Sequence, residues 1–519
     1  MPRNTERTDR DHGTKASRRR FIKVTGAVGF MTGIAGCMGS PEDGGDAQED
    51  EGGNSGGNGS GGGNGNGSGS GNGSSGGNGS GGGKTTIEVA ASGAEKENQA
   101  GVNEALHQGG LPSDIEVSIL SSSGLSGETQ SQFRQWLSAG RAKPDIFRMD
   151  VGWTIPFIKR EQIVDLSSEL PEDKTNEIKE NYFPASVDAT SAEDGNIYGI
   201  PYQVGLPTIQ YRKDLVKEAG FKPDEEEWAT DPLSWEKFSK VVAETKEQSG
   251  TKFGYAWQGK NYVGLSCCTF NELMTSWGGA YFGGFDDLFG PVGERPVTVD
   301  SEPVLQALRM ARSFIHGPDT ENTLQGYQGI SPTNVLQWSE GPSLSAFTDG
   351  NAVALRYWPS AIPPAQEAFG DDLGVMPIPY GVTEDNAEFE GTGGTASALG
   401  GWNMTLNPNS NNQDAALKVL EAFTSDSYRQ FQLEELALLP PDSAQLNSDA
   451  MEDIAIWGEY ADTLDIGGKN AVPRPVTVVW PDESPAIAER VNAVLAGQQS
   501  PEEGMSTLKK TLEDLEGSA

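Results

Sequence analysis

The chain has 519 residues, with 38 basic and 75 acidic side chains, a formal charge of −37, 68 Gly, 3 Cys and 3 His. That length implies more than one domain, and the acidity excludes a nucleic-acid binder, which needs a basic face to neutralise phosphates. Three cysteines build no disulfide framework and three dispersed histidines hold no structural zinc; no metal or cofactor is expected, and no run of about 18 or more apolar residues is available to span a bilayer.

The N-terminus reads as an address. Ser17-Arg18-Arg19-Arg20-Phe21-Ile22-Lys23 is followed by the apolar-to-small stretch 24–36. That stretch is too short to span a membrane and has the length of a signal-peptide core. The basic motif closely resembles the twin-arginine export signal, so residues 1–36 are expected to be removed. Ile34-Ala35-Gly36-Cys37 resembles a lipoprotein processing site, with Cys37 as the lipid-anchor residue that holds the chain at the outer face of the cell membrane. The alternative is that Cys37 is only a small residue near a cleavage site. Residues 52–83 contain only Gly, Asn and Ser. Such a segment buries no apolar area and reads as a disordered tether, 37–83 in all, with an r.m.s. span of about 30 Å for its Gly-rich part.

The body begins at 84. In chain order the pattern predicts strands over 87–91 and 115–120, a helix over 128–139 with Phe133, Trp136 and Leu137 on one face, and a short strand over 145–149. Helices are expected near 209–220, 234–249, 302–316, 412–425, 451–463, 484–496 and 501–516. This alternation predicts α/β architecture with parallel sheets covered on both faces, and ligands beyond the carboxyl ends of strands. Residues 1–36 carry 8 basic and 3 acidic side chains, so the remainder holds 30 against 72, or −42. Such a chain repels itself in dilute salt, whereas molar salt shortens the Debye length to about 3 Å. The acids are scattered rather than clustered, which points to a salt-adapted, halophilic host.

No catalytic constellation is present: no Gly-x-Ser-x-Gly elbow, Walker loop, His-Glu-x-x-His or Gly-x-Gly-x-x-Gly opening a helix. His107 and His316 read as surface residues, and the adjacent Cys267 and Cys268 as buried thiols, a vicinal disulfide being the alternative. Trp257, Trp277, Trp358, Trp402 and Trp480 lie in or beside Gly- or Pro-containing segments. Aromatic faces at such loop-like strand ends stack on the C–H faces of sugars, and Tyr357-Trp358-Pro359 and Gly400-Gly401-Trp402 fit that use better than core packing.

Pro144-Asp-Ile-Phe-Arg-Met-Asp-Val-Gly-Trp153, Asn196-Ile-Tyr-Gly-Ile-Pro201, Tyr211-Arg-Lys-Asp-Leu215 and Trp235 are blocks that together resemble the extracellular solute-binding proteins of ABC importers. Trp257-Gln-Gly-Lys-Asn-Tyr-Val-Gly-Leu265, Phe347-Thr-Asp-Gly-Asn-Ala352 with Arg356-Tyr-Trp-Pro359, Leu399-Gly-Gly-Trp402 and Ala471-Val-Pro-Arg-Pro475 are similar to the sugar-binding, archaeal trehalose/maltose branch. The resemblance runs collinearly from about 84 to 516. It implies a two-lobe periplasmic-binding-protein-like (type II) α/β fold with a hinge crossed three times. The implied N-lobe is 84–205 with 352–398, and the C-lobe 206–351 with 399–519. It also implies a monomer without enzymatic activity that closes on a small-molecule carbohydrate and delivers it to ABC permease subunits.

By the same similarity Asp150 would accept sugar hydroxyls, with Glu95 or Glu97 as a second acceptor, and Trp358 and Trp402 would be stacking platforms. Gly400 would let backbone approach the sugar, Arg474 would donate to hydroxyls, Thr129 and Arg134 would complete the N-lobe side, and Trp257 belongs to the ligand set. The branch carries a Tyr and an Asp where this chain has Gln203 and Gly205, and an acid where it has Leu355. Loss of a buried acceptor alters hydroxyl readout, so a sugar other than trehalose or maltose is expected. A non-sugar solute, a tethered glycosidase and an adhesion protein are the rival readings.

Overall fold

The structure, a computed structural model, describes residues 84–122, 126–448, 451, 454, 456–475 and 477–518. The export motif, Cys37 and the tether lie outside the described residues. In chain order the strands are β1 (Thr85–Ala91), β2 (Ile115–Ser121), β3 (Ile146–Asp150), β4 (Gly199–Gly205), β5 (Thr208–Arg212), β6 (Phe253–Ala256), β7 (Ala352–Tyr357), β8 (Leu373–Met376), β9 (Ser397–Ala398), β10 (Gly400–Leu406) and β11 (Ala471–Val472).

Two main sheets result, one in the order β2-β1-β3-β10-β4 and one in the order β6-β7-β5-β8. In β2 the residues Ile115, Val117 and Ile119 are buried and alternate with less buried neighbours, the period of a strand with one inward face. They pack with Ile87, Val89, Leu106, Leu420 and Phe423 into the core of the first lobe. In the second sheet the interior strand β7 is buried along its whole length, and its core includes Trp235, Phe238, Leu308, Phe314, Val491 and Leu508. Helix Glu302–His316 buries Val304, Leu305, Leu308, Ala311 and Ile315 at helical spacing. Helix Pro501–Gly517 starts with a reciprocal capping box between Ser500 and Glu503.

The chain passes between the sheets at 205–208 and 398–400, and a third time through helix Trp457–Lys469 and the short parallel pair β9–β11. A cluster of buried residues drawn from both sheets, among them Val204, Leu206, Leu355, Tyr357, Leu433 and Leu464, fills the space at these crossings.

Several expectations need correction. The sheets are mixed, not parallel: β10 runs antiparallel to β3 and β4, and β5 antiparallel to β7 and β8. The expected lobe boundaries exchange two segments. Residues 352–376 pair into the second sheet with β5, whereas 400–406 return to the first. Strand partners are non-local, and alternation of elements along the chain does not reveal them. The helix expected over 209–220 is β5 followed by the short helix Lys213–Glu218. Ile209 and Tyr211 alternate at strand period, and the helical spacing begins only after them. The helix expected over 451–463 begins later, at Trp457, and that over 484–496 earlier, at Trp480.

One buried polar cluster ties the C-terminal helix to the second lobe. Arg295 lies between Glu483 (3.6 Å) and Glu516 and stacks on Phe282 at 3.6 Å. Burial, and then the hydrogen bond shared with Glu516, raises the Glu483 carboxyl to about 8. A carboxyl raised in the folded state stabilises fully below its unfolded value of 4.5, and that contribution disappears as pH rises through about 8. Stability is therefore expected to fall between about pH 5 and 8. Glu483→Gln removes this loss, and in chemical denaturation it should exceed the parent by about 5 kcal/mol near pH 9 while matching it near pH 4. Parallel pH profiles for the two proteins would contradict the assignment.

Candidate functional site

A single row across three strands supplies one wall of the site. In the register of the first sheet Trp402 on β10 stands opposite Asp150 on β3 and opposite Gln203 on β4. The register slips between Trp402 and Asn403, a bulge that re-aims the strand at this point. Gly401 has φ of 138°, and a Cβ there would collide with the carbonyl oxygen of Gln203, so only glycine fits the bulge.

The second sheet supplies Trp358, just beyond the end of β7. Gly205 and Gly400 face one another across the β4–β10 ladder, and Trp358 lies against both. A Cβ on Gly205 would sit 3.0 Å from Trp358 Cδ1, and one on Gly400 3.3 Å from Trp358 Nε1. This accounts for Gly205, where the resembling branch has a carboxylate: the position is occupied by indole.

Between these walls lies a cavity of about 470 Å³. Asp150, Gln203, Gly205, Trp358, Gly400, Trp402 and Arg474 line it, joined by Ser126, Val263, Gly264, Cys267, Cys268, Glu340 and Ser360. Its volume is in the range of small-molecule sites. Asp150 accepts from Ser126 Oγ (2.9 Å) and from the Gly152 N–H (2.7 Å) and pairs with Arg474 Nη1 at 3.5 Å. Arg474 Nη2 donates to the Leu399 carbonyl (3.4 Å), while its Nε, buried, has no hydrogen-bond partner among the described residues. The lining charges are Asp150, Glu340 and Arg474, so the one lining cation is already paired. Glu340 accepts from Tyr262 Oη at 2.9 Å. Cys267 and Cys268 are free thiols, and the hydrogen bond between them holds Cys267 below its ordinary value.

Both tryptophans are backed by an arginine. The Arg148 guanidinium lies 4.4 Å from the centroid of Trp402, and that of Arg356 lies 4.3 Å from Trp358. Arg148 pairs with buried Glu95 at 3.3 Å and donates to the side chain of Gln203. Arg356 makes a bidentate pair with buried Glu272, with Nε to Oε2 at 2.7 Å. Burial pushes the Glu95 carboxyl up, but Arg148 and the hydrogen bonds from Ser92 and the backbone outweigh it, and the net shift is downward.

Of the expected residues, the fold brings Asp150, Gln203, Trp358, Gly400, Trp402 and Arg474 together on the cavity. Glu95 is buried behind the wall as the counter-ion of Arg148. Thr129 is buried on helix Ser126–Ser138 and not on the cavity, which that helix reaches through its first residue, Ser126. Glu97 and Arg134 are exposed. Trp257 is packed in the second core with its indole N–H on Ser331 Oγ at 2.9 Å; Trp480 is likewise core, and Trp277 is half-buried beside Gly381. The thiols read as buried are so. His107 and His316 are half-buried, each with a ring nitrogen near a backbone carbonyl, those of Leu111 and Leu495. Sequence reading missed Ser126, Glu340, Arg148, Arg356 and Glu272. Arg148 and Arg356 stand inside the quoted blocks, one ahead of Asp150 and one ahead of Trp358, and that adjacency was the available signal. A second cavity of about 560 Å³ lies beside β11, lined by Asp188, Glu384, Glu388 and Glu390 among others. It carries no tryptophan and none of the expected residues.

The chain belongs to the bacterial extracellular solute-binding protein family, whose model matches residues 113–430. A probable ABC transporter-binding protein of Deinococcus radiodurans is 27% identical over 398 residues, covering 74% of this chain and 83% of that protein. Among solved structures, maltose-bound MalE3 of T. maritima matches with a TM-score of 0.66 at 24% identity, covering 83% of this chain and all of the other. The GacH receptor of Streptomyces glaucescens, studied with and without acarbose, matches at 0.63 and 20%, covering 83% and 98%. The two-lobe fold is that of these proteins.

The packing of Gly205 against Trp358 gives a test. Gly205→Asp should cost about 1–3 kcal/mol in urea denaturation, the usual cost of overpacking, and the cost should largely vanish in a Trp358→Ala background. An equal cost in both backgrounds would contradict the contact.

Proposed function

We propose that the chain captures a neutral carbohydrate between its two lobes and hands it to the membrane permease of an ABC importer. The observation that carries this reading is the pair of tryptophans, one from each sheet, on one cavity whose single cation is already paired to Asp150. Indole faces take the C–H faces of sugar rings, while Asp150, Gln203, Ser126 and the unpartnered Arg474 Nε take hydroxyls. The reading is supported by solved relatives bound to maltose, acarbose, tagatose and ribitol. A more distant relative is named an sn-glycerol-3-phosphate-binding periplasmic protein; a phosphate ester needs spare cations, which this cavity does not offer. Another is named a probable amino-acid-binding protein, and the Asp150–Arg474 pair could meet an ammonium and a carboxylate. That is the second reading.

Contact with both lobes at once biases the closed form, which the permease reads. In this proposal the chain leaves the cell by the twin-arginine route and works as a lipid-anchored, salt-adapted monomer on the Gly/Asn/Ser tether. Cys37→Ser should then release it from membranes into the medium. Retention in the membrane fraction of cells expressing that variant would remove Cys37 as the anchor.

Tryptophan fluorescence and thermal melting in about 2–4 M salt, across neutral sugars and amino acids, test the ligand class. One sugar should give a saturable quench and, at 100 times its dissociation constant, about 2.7 kcal/mol of added stability. Asp150→Asn and Trp358→Ala should each weaken it about tenfold or more, and the sugar should be recovered unchanged. Silence with every sugar and a response to an amino acid would replace the reading with the second one; turnover of the sugar would make the chain a glycosidase.

A further inference from the structure

We propose that Arg148 and Arg356 are positioning residues that set specificity: each guanidinium lies over a cavity tryptophan without itself lining the cavity, so that the rings accept neutral ligands and reject cations. This deepens the carbohydrate reading and rests on it.

The two lobes have built the same device from unrelated stretches of chain. In the first, Glu95 on the short helix Gly93–Glu97 holds Arg148 on β3, which lies under Trp402 on β10. In the second, Glu272 on helix Phe270–Ser276 holds Arg356 on β7, which lies under Trp358. Arg148 and Arg356 are 6% and 1% exposed, and Glu95 and Glu272 are 1% and 2% exposed. Both guanidinium–ring distances, 4.4 and 4.3 Å, fall well inside the range of about 6 Å over which a cation is attracted to an aromatic face. Arg148 also donates to Gln203, and Arg356 Nη1 donates to Gln258 Oε1 at 3.0 Å. Each arginine is thus held on its ring by two side chains besides the ring itself.

Two buried ion pairs are an expensive way to orient two indoles, since hydrophobic residues of similar volume serve packing as well or better. What the charge adds is electrostatic. A cavity with two aromatic walls is ordinarily a cage for quaternary ammonium groups, because the ring quadrupole presents a negative face. Here that attraction is already engaged from behind. A sugar brings no net charge and has no use for that attraction, while the ring stays fixed for stacking.

The test removes each ion pair as a pair, Glu95→Gln with Arg148→Met and Glu272→Gln with Arg356→Met, so that no charge is left buried alone. Two probes are titrated by tryptophan fluorescence: tetramethylammonium, and whichever of maltose, maltotetraose, lactose, tagatose and ribitol binds the parent protein most tightly. The parent should discriminate against tetramethylammonium, and each double variant should gain about tenfold in tetramethylammonium affinity relative to the sugar. Arg148→Lys and Arg356→Lys keep the charge and should keep the discrimination. A purely structural role would weaken both probes together, and an unchanged ratio in folded double variants overturns the proposal. If the double variants do not fold, tetramethylammonium binding to the parent within about tenfold of the sugar overturns it, and rejection of the ion by the parent and by the Lys variants upholds it. If none of these sugars binds the parent, the carbohydrate reading fails by itself. The gain in tetramethylammonium affinity between parent and variants, present or absent, then decides the role of the arginines.

Discussion

The site depends on one topological constraint: β10 runs antiparallel between β3 and β4, after the chain has already built most of the second lobe. Its hydrogen-bonded register sets Trp402 beside Asp150 and Gln203, with Arg148 over the indole, and slips immediately afterwards, between Trp402 and Asn403. Because β10 follows directly on β9, which pairs with β11 at the crossing, the strand that completes the first sheet is also part of the hinge.

Charge is handled differently at the surface and at the site. At the surface, salt screens charge. Around the cavity, the arginines are all paired: Arg148 with Glu95, Arg356 with Glu272 and Arg474 with Asp150, while Glu340, which accepts from Tyr262 Oη, is a lining carboxylate with no salt-bridge partner among the described residues. Buried charge is tolerable only when compensated, and this pairing leaves a site with polar edges and no spare cation. That is the electrostatic character a neutral polyol requires, and it is poorly suited to a phosphate. The glycines at 205, 400 and 401 follow from the same crowding, since indole and carbonyl groups occupy the volume a side chain would need.

Much of this was legible in the sequence, and what was not has a physical reason. Strand and helix periods located β1, β2, β3 and the longest helices, though not shorter ones such as Gln99–Gln108 and Glu172–Asn181, and the Tyr357-Trp358-Pro359 and Gly400-Gly401-Trp402 segments stood out as aromatic groups at strand ends. Which sheet each segment joins was not legible, because pairing is decided by distant partners, and 352–376 and 400–406 exchanged lobes for that reason. Glu95 was singled out as a ligand acceptor but stands one layer behind the wall. Sequence alone does not show the depth at which a carboxylate sits, or that Arg148 lies between it and the cavity. Trp257 stands two residues from Gly259, in a glycine-containing segment like that of Trp402, yet its indole is enclosed by the second core.

A crystal structure of the protein with its best-binding sugar tests the central claim most directly. The account predicts a sugar ring against the outer faces of Trp358 and Trp402, hydroxyls on Asp150 and Arg474, and Arg148 and Arg356 still seated behind the rings. A ligand in the acidic cavity beside β11, or a guanidinium swung out to contact the ligand in place of indole, would contradict it.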